Sequence, residues 1–171
     1  MIQLIKYRDP WLAEGFREYI GFYNREFYCL DNFSSFKIMY EGYLYSSVEE
    51  AYQTLGFITA APDVAERIKA SASAYEAKQI AHENMERRRG DWDVVKVEIM
   101  ENLLRAKLEQ HPYVRKKLLE TRDCVIVEDS PTDSFWGCGI DRSGCNHMGK
   151  IWMKLWAELF DETTDIPKVG R

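Results

Sequence analysis

The chain has 171 residues, of which 46% are hydrophobic and 30% charged, and its formal net charge is −5. This is the composition of an ordinary globular protein, and the length predicts one domain that can bury a sizeable core. The acidic balance argues against broad nonspecific binding to nucleic acid or to anionic membranes. Because no apolar run could span a bilayer and the first residues do not have the form of a secretory signal, we expect a cytoplasmic protein.

Residues 1–40 are rich in aromatic and β-branched side chains interrupted by polar ones, which predicts short strands and loops. From Ser46 onward, caps, prolines and apolar spacing predict helices. The predicted helices cover residues 47–57, 62–70, 73–87, 91–110, 112–121 and 147–160, and a short strand, Cys124–Val127, precedes the last one. We therefore expect a single mainly α domain over residues 1–160 with a small β element, followed by a polar, frayed tail over residues 161–171.

Three of the predicted helices begin with recognisable capping residues. Ser46–Glu49 has the form of a capping box, in which Glu49 would accept a hydrogen bond from the Ser46 amide. Ser73–Glu76 repeats this form, and Asp91 can cap the long fourth helix. The apolar residues of that long helix form one stripe: Trp92, Val95, Ile99, Leu103 and Ala106.

The four cysteines raise the question of a metal site. Cys124, Cys138, Cys145 and His147 could be assembled into a zinc site, but the chain has no CxxC pair and the spacing matches no common zinc motif. We therefore predict that these cysteines and Cys29 are free thiols and that no metal is bound.

The segment Val127–Gly139, VEDSPTDSFWGCG, is the most informative part of the sequence. It combines acidic residues, a Phe-Trp pair and two glycines in a turn-rich loop after the predicted strand. An aromatic wall, an acid and a backbone that can approach closely are what a small-molecule pocket needs. The segment therefore predicts a ligand site and no particular reaction.

This loop belongs to a series of motifs that runs along the chain: LDNF (Leu30–Phe33), EGYLYSSVEEAYQ (Glu41–Gln53), DWDVVKVEIM (Asp91–Met100), LLRAKLEQHP (Leu103–Pro112), LLETRD (Leu118–Asp123), VEDSPTDSFWGCG and GCNHMGKIWMKL (Gly144–Leu155). In this order and spacing they resemble the NADAR family, also called YbiA-like, over roughly residues 20–160. The resemblance implies a YbiA-like, α-helical orthogonal bundle with a small β element. It also implies an N-glycosidase that hydrolyses a ribosyl–nitrogen bond, either in early riboflavin-pathway intermediates or in ADP-ribosylated guanine.

The resemblance also implies which residues form the site. Glu49 matches the Glu of the family's S-x-E motif and is the expected carboxylate beside the anomeric carbon, where it would stabilise an oxocarbenium-like transition state. Asp133 is the expected second acid, in contact with base or ribose, and Trp136 is expected to stack on the base. The full set of expected substrate-binding residues is Asn32, Phe33, Trp92, Lys107, Glu128, Trp136, Gly137 and Asn146. The expected partner is a nucleotide-like small molecule or ADP-ribosylated nucleic acid, with water as second substrate and no cofactor.

Each of these assignments has a structural alternative. Glu49 could be only a helix cap, Asp133 could only shape its turn, and the tryptophans could be core residues. Lys107 could be a surface lysine whose stem covers apolar groups. The run 87–89 of three arginines could meet a phosphate or could simply be a solvated helix end.

Two positions next to Glu49 depart from the family pattern. Gly56 stands where the family commonly has a lysine, and Glu50 stands where a histidine is usual. If that lysine takes part in substrate binding or chemistry, specificity has shifted or activity has been lost. The alternative function is therefore a nucleotide or ADP-ribose binding module without turnover.

Overall fold

The structure is a computed structural model that describes residues 5–8, 16–22, 26–122 and 124–164. Its elements in chain order are β1 (Ile5–Arg8), β2 (Phe16–Gly21), β3 (Ile38–Tyr40), β4 (Tyr43–Tyr45), α1 (Val48–Leu55), α2 (Pro62–Lys69), α3 (Ala74–Glu83), α4 (Trp92–Gln110), α5 (Pro112–Glu120), β5 (Val125–Val127) and α6 (His147–Thr164). Single 3₁₀ turns lie at Tyr28–Leu30 and Met85–Arg87. The predicted mainly α class with a small β element is confirmed.

Most helix ends agree with the prediction to within two residues, and three features of the helices differ from it. The predicted helix 73–87 ends as an α-helix at Glu83, because the Asn84 side-chain amide donates to the Ile80 carbonyl (2.7 Å) and a 3₁₀ turn follows. Asp91 makes no capping hydrogen bond to α4, because its carboxylate pairs with Arg89 instead. The last helix continues to Thr164, four residues into the predicted tail, and residues 165–171 lie outside the described part of the chain.

The chain divides into two compact units, which we call the terminal unit (residues 1–28 and 116–171) and the central unit (residues 29–115). In the terminal unit, β2 lies in the middle of a three-stranded sheet, antiparallel to β1 and parallel to β5. The α6 helix packs against β5. Gly149 in the first turn of α6 makes this approach possible, since a Cβ atom there would lie 2.0 Å from the Ile126 carbonyl oxygen.

In the central unit, α1, α2 and α3 pack against one another, and α1 also contacts α4. The strands β3 and β4 form a hairpin whose two turn residues, Glu41 and Gly42, both have positive φ angles (48° and 80°). Two-residue hairpin turns with φ positive at both positions are of type I′, for which glycine at the second position is favoured. The three-helix core is formed by Phe57, Ala61, Val64, Ala65, Ile68, Ala77 and Ala81.

We predict that Gly149→Ala destabilises the protein. The added methyl group would collide with the Ile126 carbonyl and with the Asn146 side chain (2.5 Å), and overpacking of this kind costs about 1–3 kcal/mol. Urea unfolding measures the loss, and Gly90→Ala is the matched control because nothing lies within 4 Å of a Cβ atom at Gly90. Equal free energies of unfolding for the two variants would contradict the close contact between α6 and β5.

Candidate functional site

The start of α1 is capped by Ser47 and Glu50. The Ser47 hydroxyl accepts a hydrogen bond from the Glu50 amide (3.1 Å), and the Glu50 carboxylate accepts one from the Ser46 amide (2.8 Å) and another from the Ser46 hydroxyl. The capping box is therefore shifted by one residue from the predicted Ser46–Glu49. The interpretation of Glu49 as the cap is wrong, because its neighbour Glu50 has that role.

Glu49 is buried, with 4% of its surface exposed, in the first turn of α1. Its Oε1 atom accepts a hydrogen bond from the side-chain amide of Gln53 (2.8 Å), one turn later on the same helix. Its backbone amide donates to the carbonyl of Asn32 (3.2 Å), which holds the LDNF loop against the start of α1. A buried carboxylate is costly unless it is hydrogen-bonded, and the Gln53 amide supplies such a bond.

Arg88 extends this arrangement. One of its Nη atoms donates to the Gln53 side-chain oxygen (2.7 Å), so Gln53 connects the arginine to Glu49. The guanidinium also lies against two rings: its Cζ atom is 5.1 Å from the Phe57 ring centroid and 5.0 Å from the Trp92 ring centroid. Burial lowers the pKa of Arg88, whereas the nearby Tyr52 and Glu49 raise it.

The three successive arginines have different environments. Arg87 and Arg89 form ion pairs with Asp63 (2.6 Å) and Asp91 (2.6 Å). Arg88 makes no ion pair with any acid in the described ranges. The interpretation of the whole run as a solvated helix end is therefore wrong for its middle residue, which is turned towards α1.

Gly56 provides the space that Arg88 occupies. A Cβ atom at Gly56 would lie 3.1 Å from the Arg88 Nε atom and 3.4 Å from its Cδ atom. A side chain at this position would force the arginine to shift. The family pattern has a lysine at position 56. In this chain the residue is glycine, and the Arg88 side chain lies in the space beside it.

Trp92 lies at the start of α4, is buried, and packs on Tyr52 with ring centroids 4.8 Å apart. Arg88 also lies against this ring, and Gln53 links Arg88 to Glu49. Three predicted residues are thus connected: Asn32 to Glu49 by a backbone hydrogen bond, and Trp92 to Glu49 through Arg88 and Gln53. The structure adds Tyr52, Gln53 and Arg88, which the sequence analysis did not assign to the site.

Lys107 is completely buried, with 0% exposure, so the structural alternative of a surface lysine is wrong. Its ammonium donates to the Asp31 carbonyl (2.8 Å) and to the Ser34 hydroxyl (2.7 Å), and it lies 5.3 Å from the Phe36 ring centroid. Lys107, which is part of α4, therefore holds in place the loop that contains Asn32. Burial lowers the pKa of Lys107 to about 7, opposed by the nearby Cys29 and Asp31.

The LDNF loop carries the two other predicted residues of the central unit. The Asn32 side-chain amide donates to the Met100 sulfur (3.5 Å), and its side-chain oxygen is buried with no hydrogen-bond partner among the described residues. Phe33 is exposed, and the ammonium of Lys78 lies 5.5 Å from its ring centroid. A buried amide oxygen without a partner is an unusual feature that a bound ligand could satisfy.

Asp133 shapes the loop of the terminal unit. One of its carboxylate oxygens accepts hydrogen bonds from the amides of Phe135 (2.9 Å) and Trp136 (2.8 Å). The structural alternative, in which this aspartate acts on its own backbone, is therefore observed. Gly137 is equally constrained, since a Cβ atom there would lie 2.8 Å from the Glu128 carbonyl oxygen.

Asn146 ties the same loop to β5. Its side-chain oxygen accepts from the Glu128 amide (3.0 Å), and its amide donates to the Ile126 carbonyl (2.9 Å). Asn146 has a positive φ angle (50°), a conformation that asparagine tolerates better than most residues. Both ends of its side chain are thus used in joining two backbone segments.

The aromatic residues of the loop form a cluster with His147. The centroids of Phe135 and His147 lie 4.4 Å apart, and Trp136 meets Phe135 edge to face at 5.0 Å. All three side chains are half-buried. These ring contacts make His147 part of the aromatic cluster around Trp136.

The described residues contain no group of three or more His, Cys, Asp or Glu side chains placed to hold a metal ion. Cys138, one of the proposed zinc ligands, packs instead with Val127 in a small apolar cluster. Within the same ranges, no helix is long and apolar enough to cross a membrane.

Comparison with known proteins assigns the family. The NADAR domain matches residues 21–160. N-glycosidase Npun_R5314 of Nostoc punctiforme is 38% identical over 133 residues, which are 77% of this chain and 85% of that protein. N-glycosidase YbiA of Escherichia coli is 30% identical over 142 residues, 82% of this chain and 88% of that protein. This chain belongs to the NADAR family.

Two further comparisons concern fold and pathway. The NMR structure of Escherichia coli YbiA superposes with a TM-score of 0.76 at 27% identity and covers 86% of this chain and 87% of YbiA. The chloroplastic riboflavin biosynthesis protein PYRR of Arabidopsis thaliana is 35% identical over 106 residues, which are 60% of this chain but 18% of PYRR. The resemblance found in the sequence motifs is thus confirmed.

We predict that Lys107 makes stability depend on pH. Because its pKa is about 7 in the folded protein and 10.5 ordinarily, the unfolded state binds more protons between these values, and stability rises with pH there. The slope for one group is at most about 1.4 kcal/mol per pH unit. The free energies of unfolding of the wild type and of Lys107→Met can be measured in urea at pH 7, 8 and 9. The wild-type value minus the variant value should increase as the pH rises. A constant difference would show that Lys107 is fully charged in the folded protein.

Proposed function

We propose that this protein is an N-glycosidase that hydrolyses a ribosyl–nitrogen bond of a nucleotide-like substrate, with Glu49 as the key carboxylate. The observation that carries the proposal is the position of Glu49. It is buried, is not used as the helix cap, and accepts a hydrogen bond from Gln53, which also accepts one from Arg88 beside the Trp92 ring. The names of the relatives in Nostoc and Escherichia coli agree with this reaction.

The chemistry follows from a preorganised negative charge. The bond between the anomeric carbon and nitrogen breaks, and its electron pair leaves with the nitrogen of the base. The ribose carbon becomes positively charged, and a carboxylate held in a poorly hydrated site stabilises this charge without reorganising. A water oxygen then adds to the anomeric carbon and gives a proton to Glu49, and transfer of that proton to the departing base nitrogen restores the carboxylate and completes the hydrolysis.

The other predicted site residues act within their own units. In the terminal unit Trp136 is half-buried, and stacking of a base on such a ring contributes about 1–3 kcal/mol. In this proposal Asp133 acts mainly by holding the backbone before Trp136, because one of its carboxylate oxygens accepts both loop amides. Lys107 acts by fixing the Asn32 loop from within the core.

Two substrate classes fit this chemistry. One is a ribosylated pyrimidine phosphate of the riboflavin pathway, which the name of the plant relative PYRR favours. The other is ADP-ribosylated guanine, free or in nucleic acid. We propose the riboflavin-type substrate first, and parallel assays that follow release of free base from each substrate separate the two.

We predict that Glu49→Gln lowers the saturated rate of hydrolysis by about 10²–10³-fold with little change in substrate binding, because the charge acts chiefly in the transition state. Glu50→Gln is the matched control: it makes the same chemical change at the next residue, which caps the helix. It should keep the rate and lower the stability of the protein by at most about 1 kcal/mol.

Rate measurements on both variants, each with its melting curve, test this assignment. A normal rate in Glu49→Gln would exclude Glu49 as the active carboxylate. If wild-type protein binds an N-ribosyl nucleotide and releases no base, the alternative of a binding module without turnover replaces the proposed enzyme.

A further inference from the structure

The central unit contains a pocket of about 440 Å³ beside the residues described above. It lies between α1, α3 and the 3₁₀ turn at Met85–Arg87, and small-molecule sites commonly have volumes of roughly 300–1,000 Å³. Its lining residues are Gln53, Tyr75, Lys78, Gln79, His82, Glu83, Met85 and Arg88. Two of these, Gln53 and Arg88, are the residues that connect to Glu49.

Two of the lining residues are cations, Lys78 and Arg88. Within the described part of the chain, neither Lys78 nor Arg88 forms an ion pair, and Arg88 is held by the Gln53 amide and by two aromatic faces. Other basic residues nearby are neutralised, as with Lys69 by Glu66 and Arg87 by Asp63. A partly buried guanidinium that forms no ion pair can bind an anion through its free N–H groups.

The uncharged lining suits the same kind of ligand. Gln79 and His82 can donate hydrogen bonds to an oxyanion, and Tyr75 adds a ring with a hydroxyl group. Glu83 is the single acid among the lining residues, against the two unpaired cations. The pocket therefore has an excess of positive charge in a protein whose net charge is −5.

We propose that this pocket binds the phosphoryl group of the substrate, with Arg88 and Lys78 as its two cationic contacts. The guanidinium can form paired hydrogen bonds with two phosphate oxygens, and the lysine adds a mobile point charge. Because Arg88 is linked through Gln53 to Glu49, the bound phosphate would place the ribose on the side of the pocket where the carboxylate lies. The identification of the phosphate as part of a substrate rests on the proposed function. Binding of a phosphorylated sugar to the pocket does not require turnover.

The test is a binding experiment with ribose 5-phosphate, inorganic phosphate and ribose as probes. Isothermal titration calorimetry should show that wild-type protein binds ribose 5-phosphate at least 10-fold more tightly than ribose. Lys78→Gln and Arg88→Gln should each weaken ribose 5-phosphate binding about 10-fold or more. Lys78 is exposed, so its variant is expected to fold even if the partly buried Arg88 tolerates no change.

Arg87→Gln is the matched control, since it removes a neighbouring arginine that is exposed and paired with Asp63. It should bind ribose 5-phosphate as the wild type does. Equal affinity of the wild type for ribose and ribose 5-phosphate, or wild-type affinity in Lys78→Gln, would overturn the proposal. An equal loss in Arg87→Gln would also overturn it, because the effect would then be one of overall charge.

A second pair of measurements separates this inference from the proposed reaction. Glu49→Gln should retain ribose 5-phosphate binding while losing turnover, and Lys78→Gln should raise KM for a phosphorylated substrate while leaving kcat nearly unchanged. If no substrate is hydrolysed but ribose 5-phosphate binds through Lys78, the phosphate site stands and the enzymatic proposal fails. Competition by ADP-ribose then distinguishes a diphosphate from a monoester as the group that this pocket accepts.

Discussion

A carboxylate buried in the first turn of α1 requires hydrogen-bond donors, and the packing around Glu49 follows from that requirement. Gln53 lies one helical turn later, donates its amide to the carboxylate, and has its own side-chain oxygen fixed by Arg88. Arg88 reaches this position because residue 56 is glycine and because Phe57 and Trp92 provide faces on which a guanidinium can lie. Glu49, Gln53 and Arg88 thus form one connected polar arrangement within the central unit.

The two adjacent glutamates show how one helix start can serve two purposes. Glu50 satisfies the backbone groups that precede α1, which leaves Glu49 available to face the interior. Without Glu50, the same local requirement would favour using Glu49 as the cap. The glutamate at position 50, where a histidine is usual in the family pattern, is therefore consistent with an active carboxylate at position 49.

Much of the fold was predictable because its determinants are local. Pro62, Ser73 and Pro112 begin helices where their capping and φ preferences place them, and the motif series identified the family. The partners of the site residues were not predictable, since they depend on contacts distant in sequence. Gln53 could have been recognised from its i, i+4 spacing to Glu49. Arg88 could not have been recognised in this way. It turns inward because there is space beside Gly56 and because Arg87 and Arg89 are held by acids, and neither fact can be read from the sequence.

The central claim is that this protein adds water to the anomeric carbon of an N-ribosyl nucleotide. Hydrolysis of a ribosylamino-pyrimidine phosphate in H₂¹⁸O, followed by mass spectrometry of both products, tests it most directly. We predict enzyme-dependent release of the free base and one ¹⁸O atom in the ribose phosphate. Release at the uncatalysed rate, or an unlabelled sugar product, would contradict it.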